Sequence, residues 1–229
     1  MDFTAIFTAY YRQFRGEATV PGSTDEEYTL GLSLANAALN RWANYDGTYW
    51  KELYTTAQTT STGGVVTITA GTSSYAAPTA MREAGGNIQI TETDGTLITE
   101  IPIVQPEQVQ FLDKNSSFAY FTGNPSSGFT LKLNPTPDST IDGKKIDYTY
   151  YRKPTEYSTG TDKSEIANPY FVVNYMLAQR FQIERNYGGY QIAKRDSEEL
   201  LKNMQHDNNS GTWADSWSMP DNSGSSWGV

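Results

Sequence analysis

Apolar residues recur along this chain with two different periods, and the changes of period divide it into stretches. In residues 3–14, Phe3, Ile6, Phe7, Tyr10 and Phe14 follow helical spacing, and Gly16 and Pro21-Gly22 end the run. A second helix is predicted over residues 23–45. Ser23 or Thr24 can cap it, each with a glutamate three residues on, and Asp25, Glu26 and Glu27 set negative charge at the positive end of its dipole. Tyr28, Leu32, Ala35, Leu39 and Trp42 form one narrow stripe for a partner helix, and Gly31, Ala35, Ala37 and Ala38 permit close approach. The longest helical stretch is Ser164–Gln205, with Asn168 as cap and Pro169 at the first helical position. Val172, Met176 and Ile183 lie on one side, Val173 and Leu177 on an adjacent side, and Phe171, Tyr175 and Phe181 broaden the surface. A helix apolar over so wide an arc packs on more than one flank. Gly188-Gly189 interrupts or kinks it, and Tyr190, Ala193, Ser197, Leu200, Leu201 and Met204 resume a narrower stripe, so the pattern predicts one long broken helix or two in series.

Between the helices the period falls to two. Residues 65–70, 87–92, 96–104, 107–112, 117–122, 129–133 and 145–152 are short, β-branched or aromatic runs and read as strands of an antiparallel sheet or small sandwich. Asp94-Gly95 and Asp142-Gly143 read as hairpin turns, and Pro102 and Pro106 place the strands near them at edges or bulges. From Asp207 onward the chain is rich in Ser, Gly, Asn and Asp without periodicity, a composition that does not offset its own ordering entropy in isolation. That tail nevertheless carries Trp213, Trp217, Met219 and Trp227, large side chains that read as anchors for a partner's pocket.

Charge and composition narrow the chemistry. With a net charge of −9, a groove built to neutralise nucleic-acid phosphates is disfavoured. The absence of cysteine removes disulfides, thiolate catalysis and thiolate metal sites together. No basic leader precedes an apolar run at the N-terminus, and no apolar stretch reaches the roughly 18 residues of a membrane span, so the reading is a soluble, unanchored protein without a signal peptide. His206 is the one histidine and stands at the start of the tail, a poor place for a general base. Phosphate-loop, dinucleotide, zinc-protease, serine-hydrolase and calcium-loop motifs are missing, and no cofactor or metal is expected. Asp94, Glu100, Glu107, Asp113, Asp138, Asp142 and Asp147 could supply a glycosidase-like pair, but nothing singles out two of them and the expectation is no enzyme. Tyr148, Tyr150, Tyr151 and Tyr157, with Tyr54, Phe118, Tyr120 and Phe121, could form a sugar-stacking platform. The competing reading puts Tyr148 and Tyr150 on the core face of a strand, with Tyr151 pointing the other way. The Asn-X-Ser matches at Asn115 and Asn208 mean nothing without secretion.

Several of these stretches together carry a family resemblance. A strand ends in Pro135-Thr136-Pro137, a following strand carries the paired Tyr150 and Tyr151 before Pro154, and a short loop delivers Pro169 at the start of the long helix. This order resembles the head-to-tail connector adaptor proteins of tailed bacteriophages. The early helix ending in LNRWANYDGTYWKEL is similar to their N-terminal helix running into a Trp-containing turn. SSYAAPTAMREAGG is similar to their stretch before the second group of strands, with Thr79 where an acidic residue is usual. In element order the likeness covers most of residues 24–206.

The resemblance implies an α+β fold: a helical bundle built from the N-terminal and C-terminal helices, an inserted antiparallel β domain, and an extended C-terminal tail. On this reading residues 1–54 are the N-terminal helices, 55–153 the β domain, 154–206 the broken helix completing the bundle, and 207–229 the arm. It also implies a ring of about twelve copies beneath the portal protein. That ring extends the channel for double-stranded DNA, which passes without specific binding, and meets a distal tail or nozzle protein below. The protein would be made in the cytoplasm of the bacterial host and end at the head-to-tail junction of the virion, with no membrane partner. Trp213, Trp217, Met219 and Trp227 would then be portal-binding, and Tyr28, Leu32, Leu39, Trp42, Val173, Leu177 and Phe181 would pack the helices. The alternative is a carbohydrate-binding or receptor-binding β module of a tail-associated protein.

Overall fold

The computed structural model describes residues 1–17, 19–56, 66–124 and 126–210. Two compact units emerge, one from Met1–Glu52 with Thr155–Val229 and one from Leu53–Pro154. Helices dominate the first and short antiparallel strands the second, so the fold is α+β.

The helical unit contains α1 (Phe3–Arg15), α2 (Glu26–Ala43), α3 (Tyr170–Ile183) and α4 (Tyr187–Ser210). Helix α3 packs against all three others, and its Phe171, Val172, Val173, Met176, Leu177 and Ala178 are buried. The helix starts at Tyr170 with Pro169 at its N-cap, one position later than expected, and Asn168 Oδ1 accepts a hydrogen bond from the Tyr170 amide at 3.1 Å. Helix α1 presents Phe3, Ile6, Phe7, Tyr10 and Tyr11 to the core, and Asp2 caps it by accepting from the Ala5 amide at 2.8 Å. Helix α2 buries Tyr28, Gly31, Ala35, Ala38, Leu39, Trp42 and Ala43. A Cβ on Gly31 would stand 2.4 Å from the Phe7 ring, so at this position α1 and α2 approach more closely than any other residue allows.

Other helical expectations are corrected. Helix α2 starts after Asp25 rather than after Ser23 or Thr24, because the Asp25 carboxylate turns back to accept from the Gly22 amide at 2.6 Å. The long helix breaks before Gly188-Gly189, at Glu184–Asn186, where Arg185 takes φ +60. Asn186 Oδ1 then caps α4 by accepting from the Gly189 amide at 3.0 Å. Gly189 serves packing instead, since a Cβ there would meet the Phe181 ring at 2.9 Å. Ile183, at the last position of α3, is 57% exposed rather than in the core, and Ala37 is exposed too. The final helix runs to Ser210, so residues 207–210, which composition assigns to the tail, are helical.

In the β unit nine strands form three sheets among the described residues. They are β1 (Tyr54–Thr56), β2 (Ser74–Ala76), β3 (Met81–Ala84), β4 (Ile88–Thr91), β5 (Leu97–Ile101), β6 (Phe118–Asn124), β7 (Gly128–Asn134), β8 (Lys145–Asp147) and β9 (Thr149–Arg152). The orders are β1-β9-β3, β2-β7-β6 and β5-β4-β8, all antiparallel. Ile68, Met81, Ile88, Ile90, Ala119, Leu131 and Ile146 join one apolar cluster beneath them. Asp94-Gly95 turns β4 into β5, with the Glu92 amide donating to the Thr96 carbonyl at 2.8 Å, and β5 is an edge strand, as Pro102 requires.

Other strand expectations give way. Residues 107–112 are not a strand: Pro106–Phe111 is a 3₁₀ turn with no buried residue, started by proline and capped at that end where Gln108 Oε1 accepts from the Gln105 amide at 3.3 Å. Residues 145–152 divide at Tyr148, β8 pairing with β4 and β9 with β1 and β3. Asp142-Gly143 is a turn but no hairpin, because β7 and β8 belong to different sheets. Within 66–70, Val66 and Ile68 are buried, yet only a single bridge, Thr67 to Lys145, forms.

Gly31→Ala should lower stability by about 1–3 kcal/mol through overpacking against Phe7, whereas Ala37→Ser on the exposed side of the same helix should change it by under about 0.5 kcal/mol. Urea unfolding of both variants checks the pair.

Candidate interaction surfaces

The bundle is tied together at its start by the loop that delivers α3. The Asp162 carboxylate accepts from the Ser158 and Thr159 amides at 2.6 and 2.7 Å and from their hydroxyls at 2.9 and 2.8 Å. Four donors on one carboxylate hold its pKa far below the usual range. The folded loop then binds α1, with the Phe3 amide donating to the Asp162 carbonyl and the Thr4 amide to the Gly160 carbonyl, both at 2.9 Å. Asn36 of α2 grips the same loop with both ends of its amide, donating to the Tyr157 carbonyl at 3.0 Å and accepting from the Tyr157 amide at 2.8 Å.

At the far end of α1, Phe14 lies beneath two guanidinium groups, Arg15 at 4.5 Å and Arg180 at 4.9 Å from its centroid. Arg180 pairs with Glu27 at 2.8 Å and Glu184 at 3.3 Å, and Arg15 reaches the same two carboxylates at 3.5 and 3.8 Å. This network ties α1, α2 and α3 together. Beside it, burial pushes the Tyr10 phenol up to about 12, against the lowering pull of Arg180.

The other end of the bundle holds the C-terminal part of α4. Ala193, Ser197, Leu201 and Met204 face inward from α4. Beyond Met204, Gln205 Nε2 donates to Thr48 Oγ1 at 2.7 Å, Asn208 Nδ2 donates to the Tyr49 carbonyl at 2.9 Å, and Asn208 Oδ1 accepts from the Lys51 amide at 3.0 Å. The gripped segment is itself fixed: Trp50 is buried, its indole N–H donates to the Trp42 carbonyl at 2.7 Å, and the two indoles stand 5.3 Å apart. A cavity of about 210 Å³ lies here, lined by Trp50, Leu200, Asn203, Met204 and Asn208 among others. His206 sits on the helix rather than in a tail, with its side chain 82% exposed and Asp207 3.7 Å away. No signal in the sequence marks Gln205 and Asn208, because their partners are some 157 residues distant.

The structure places Tyr28, Leu39, Trp42, Val173 and Leu177 in the interior of the helical unit, with Leu32 and Phe181 half-buried. The Phe181 ring lies 6.0 Å from Phe14. Trp213, Trp217, Met219 and Trp227 lie outside the described residues.

In the β unit the aromatic platform does not form as a surface. Tyr148 and Tyr150 are buried in its core, and burial raises the phenol pKa of both. Phe118 is buried, and Tyr151 lies tilted against Tyr54 with the ring centroids 5.3 Å apart, Tyr54 itself being exposed. The acidic residues are spent on local structure. Asp94, Asp113 and Asp138 accept from amides two residues on, closing turns, and Asp142 accepts from the Ala70 amide at 2.8 Å. Glu100, Gln89 and Asp147 share one row across β5, β4 and β8. There Glu100 accepts from Gln89 at 2.9 Å and Asp147 from Thr91 at 2.7 Å. Glu107 lines a separate cavity of about 540 Å³ with Met81, Ile103, Phe121 and Phe129. Among the described residues no group of His, Asp and Glu could hold a metal ion, and no helix is long and apolar enough to cross a membrane.

The described chain is thus two helical ends around an inserted β unit. A comparison with family models matches the SU10 adaptor protein family over residues 8–223. The chain belongs to the SU10 adaptor protein family. That membership gives it a structural role as a bacteriophage adaptor in virion assembly. Comparison with curated proteins gives no match.

The depressed pKa of Asp162 carries a pH dependence. Its contribution to stability is present above the unfolded-state value of about 3.9 and is lost as pH falls toward the folded-state value. Asp162→Asn should be less stable than wild type at pH 7, and the gap should close as the pH is lowered through 4 to 2. Chemical denaturation at a series of pH values reads this, and a gap independent of pH would contradict it.

Proposed function

We propose that this adaptor is the ring subunit that joins the phage head to the tail, bound to the portal protein through residues 211–229. The observation that carries the reading is the family match, which spans the helical ends, the β insert and the tail as far as residue 223, including Trp213, Trp217 and Met219. About twelve copies surround the channel, with helical faces and β units meeting in a head-to-tail interface that closes by rotation. Each arm docks its tryptophans on the portal, where burying one removes about 150–250 Å² from water. The distal end of the ring receives a tail or nozzle protein, and the assembly is built in the host cytoplasm.

The charge supports a passive channel. At −9 per subunit the ring repels DNA phosphates over about 8 Å at physiological salt, so the duplex slides without being gripped. The carbohydrate-binding alternative lacks its platform, since Tyr148 and Tyr150 are spent on the core.

Co-sedimentation with the portal protein of the same phage tests the proposal, using the full chain and a version ending at Ser210, which keeps all of α4. The full chain should join the portal and the shortened one should not. Replacing Trp213 and Trp217 by Ala should weaken docking with the far-ultraviolet circular dichroism unchanged. Equal binding by the full and shortened chains would refute the arm assignment.

A further inference from the structure

We propose that the β unit holds a binding site for the guanidinium group of a partner polypeptide's arginine, centred on Asp147. Gln89, Glu100 and Asp147 stand opposite one another across β4, β5 and β8, so their side chains share one face. It is the face turned from the core, because Ile88, Ile90 and Ile146 occupy the other. All three residues line a cavity of about 310 Å³, into which the row therefore points. Gln89 and Glu100 are exposed, yet Asp147 is only 8% exposed, so the cavity deepens toward its carboxylate.

That carboxylate is half satisfied. Thr91 Oγ1 donates to Asp147 Oδ2 at 2.7 Å, whereas Oδ1 is buried and has no hydrogen-bond partner. Lys145, two residues back on the same face of β8, directs its ammonium to the Thr93 carbonyl instead. No lysine or arginine lines the cavity, while Asp147 and Glu100 bring two carboxylates to it. A buried charge left without a counter-charge and a full set of donors is costly, and a cation bearing N–H groups removes both deficits at once.

The lining selects the kind of cation. Among the described residues no three of His, Asp and Glu gather to ligate a metal ion. A planar guanidinium has donors along its edges, for Asp147 Oδ1 and the Glu100 carboxylate, and a face for the exposed Tyr54 ring in the same lining. Gly85 and Gly86 keep the wall beside that ring low. A Cβ on Gly85 would stand 3.0 Å from the Tyr54 ring, and one on Gly86 3.2 Å from the Thr149 hydroxyl. The two carboxylates repel the α-carboxylate of free arginine, which assigns the group to an arginine within a polypeptide.

The test is an NMR titration of the isotope-labelled full-length chain with N-acetyl-arginine methylamide at constant ionic strength. The Gln89, Thr91, Glu100 and Asp147 amides should shift together along one saturable curve. The matching citrulline compound, of the same shape with a neutral urea, should give no saturation. Asp147→Asn should weaken binding by more than about tenfold. Glu100→Gln and Tyr54→Ala, both at exposed positions, should each weaken it by about two- to fivefold. Shifts that never saturate, or equal shifts with the two compounds, overturn the site. A folded Asp147→Asn with unchanged affinity overturns it as well. Should Asp147→Asn fail to fold, unchanged affinity in both Glu100→Gln and Tyr54→Ala does the same. Tighter binding of free L-arginine than of its blocked analogue overturns the assignment to a polypeptide side chain.

Discussion

The burial of α3 on three flanks is the constraint on which the helical unit depends. Residues 171–173 and 176–178 of α3 are all buried, which is possible only because α1, α2 and α4 each cover a different side. Removing any one would bare part of an apolar arc too wide for a single partner, at roughly 25 cal/mol for each Å² exposed. The close approach at Gly31 and the guanidinium pair around Phe14 follow from drawing three helices to one hub. So does the loop knotted around Asp162, which must deliver α3 at a set position against α1 and α2.

The β insert obeys a different economy. Its strands are three to seven residues long and its sheets have three strands each, so no sheet is wide enough to stand alone, and the three share one cluster of Ile, Leu, Met and Tyr. Several of its acidic residues close turns, Asp94, Asp113 and Asp138 each accepting from the amide two residues on.

Where a helix carried a long apolar stripe, as from Tyr28 to Trp42 or from Phe171 to Leu177, the sequence pattern was sufficient to find it, and the α+β layout followed. Features set by distant partners left no local trace. The break between α3 and α4 falls at Arg185, a residue with no turn signature, while the glycine pair that looks like a break makes room for Phe181. Strands β1, β2 and β3 are too short to show alternation, and the apolar residues of 107–112 follow a proline that turns the chain instead of extending it. The end of α4 is the clearest case: its composition is that of a coil, and it is helical because Thr48, Tyr49 and Lys51 hold it. For the same reason Gln205 and Asn208 were invisible to sequence pattern, whereas the tryptophans beyond them stood out by chemistry alone.

The most direct test of the account is a cryo-electron-microscopy reconstruction of the full chain assembled with the portal protein. The account predicts a closed ring of subunits on the portal axis, with the C-terminal residues of each chain reaching portal pockets filled by Trp213 and Trp217. A complex in which the arms run elsewhere, or in which the subunits attach without forming a ring, would contradict it.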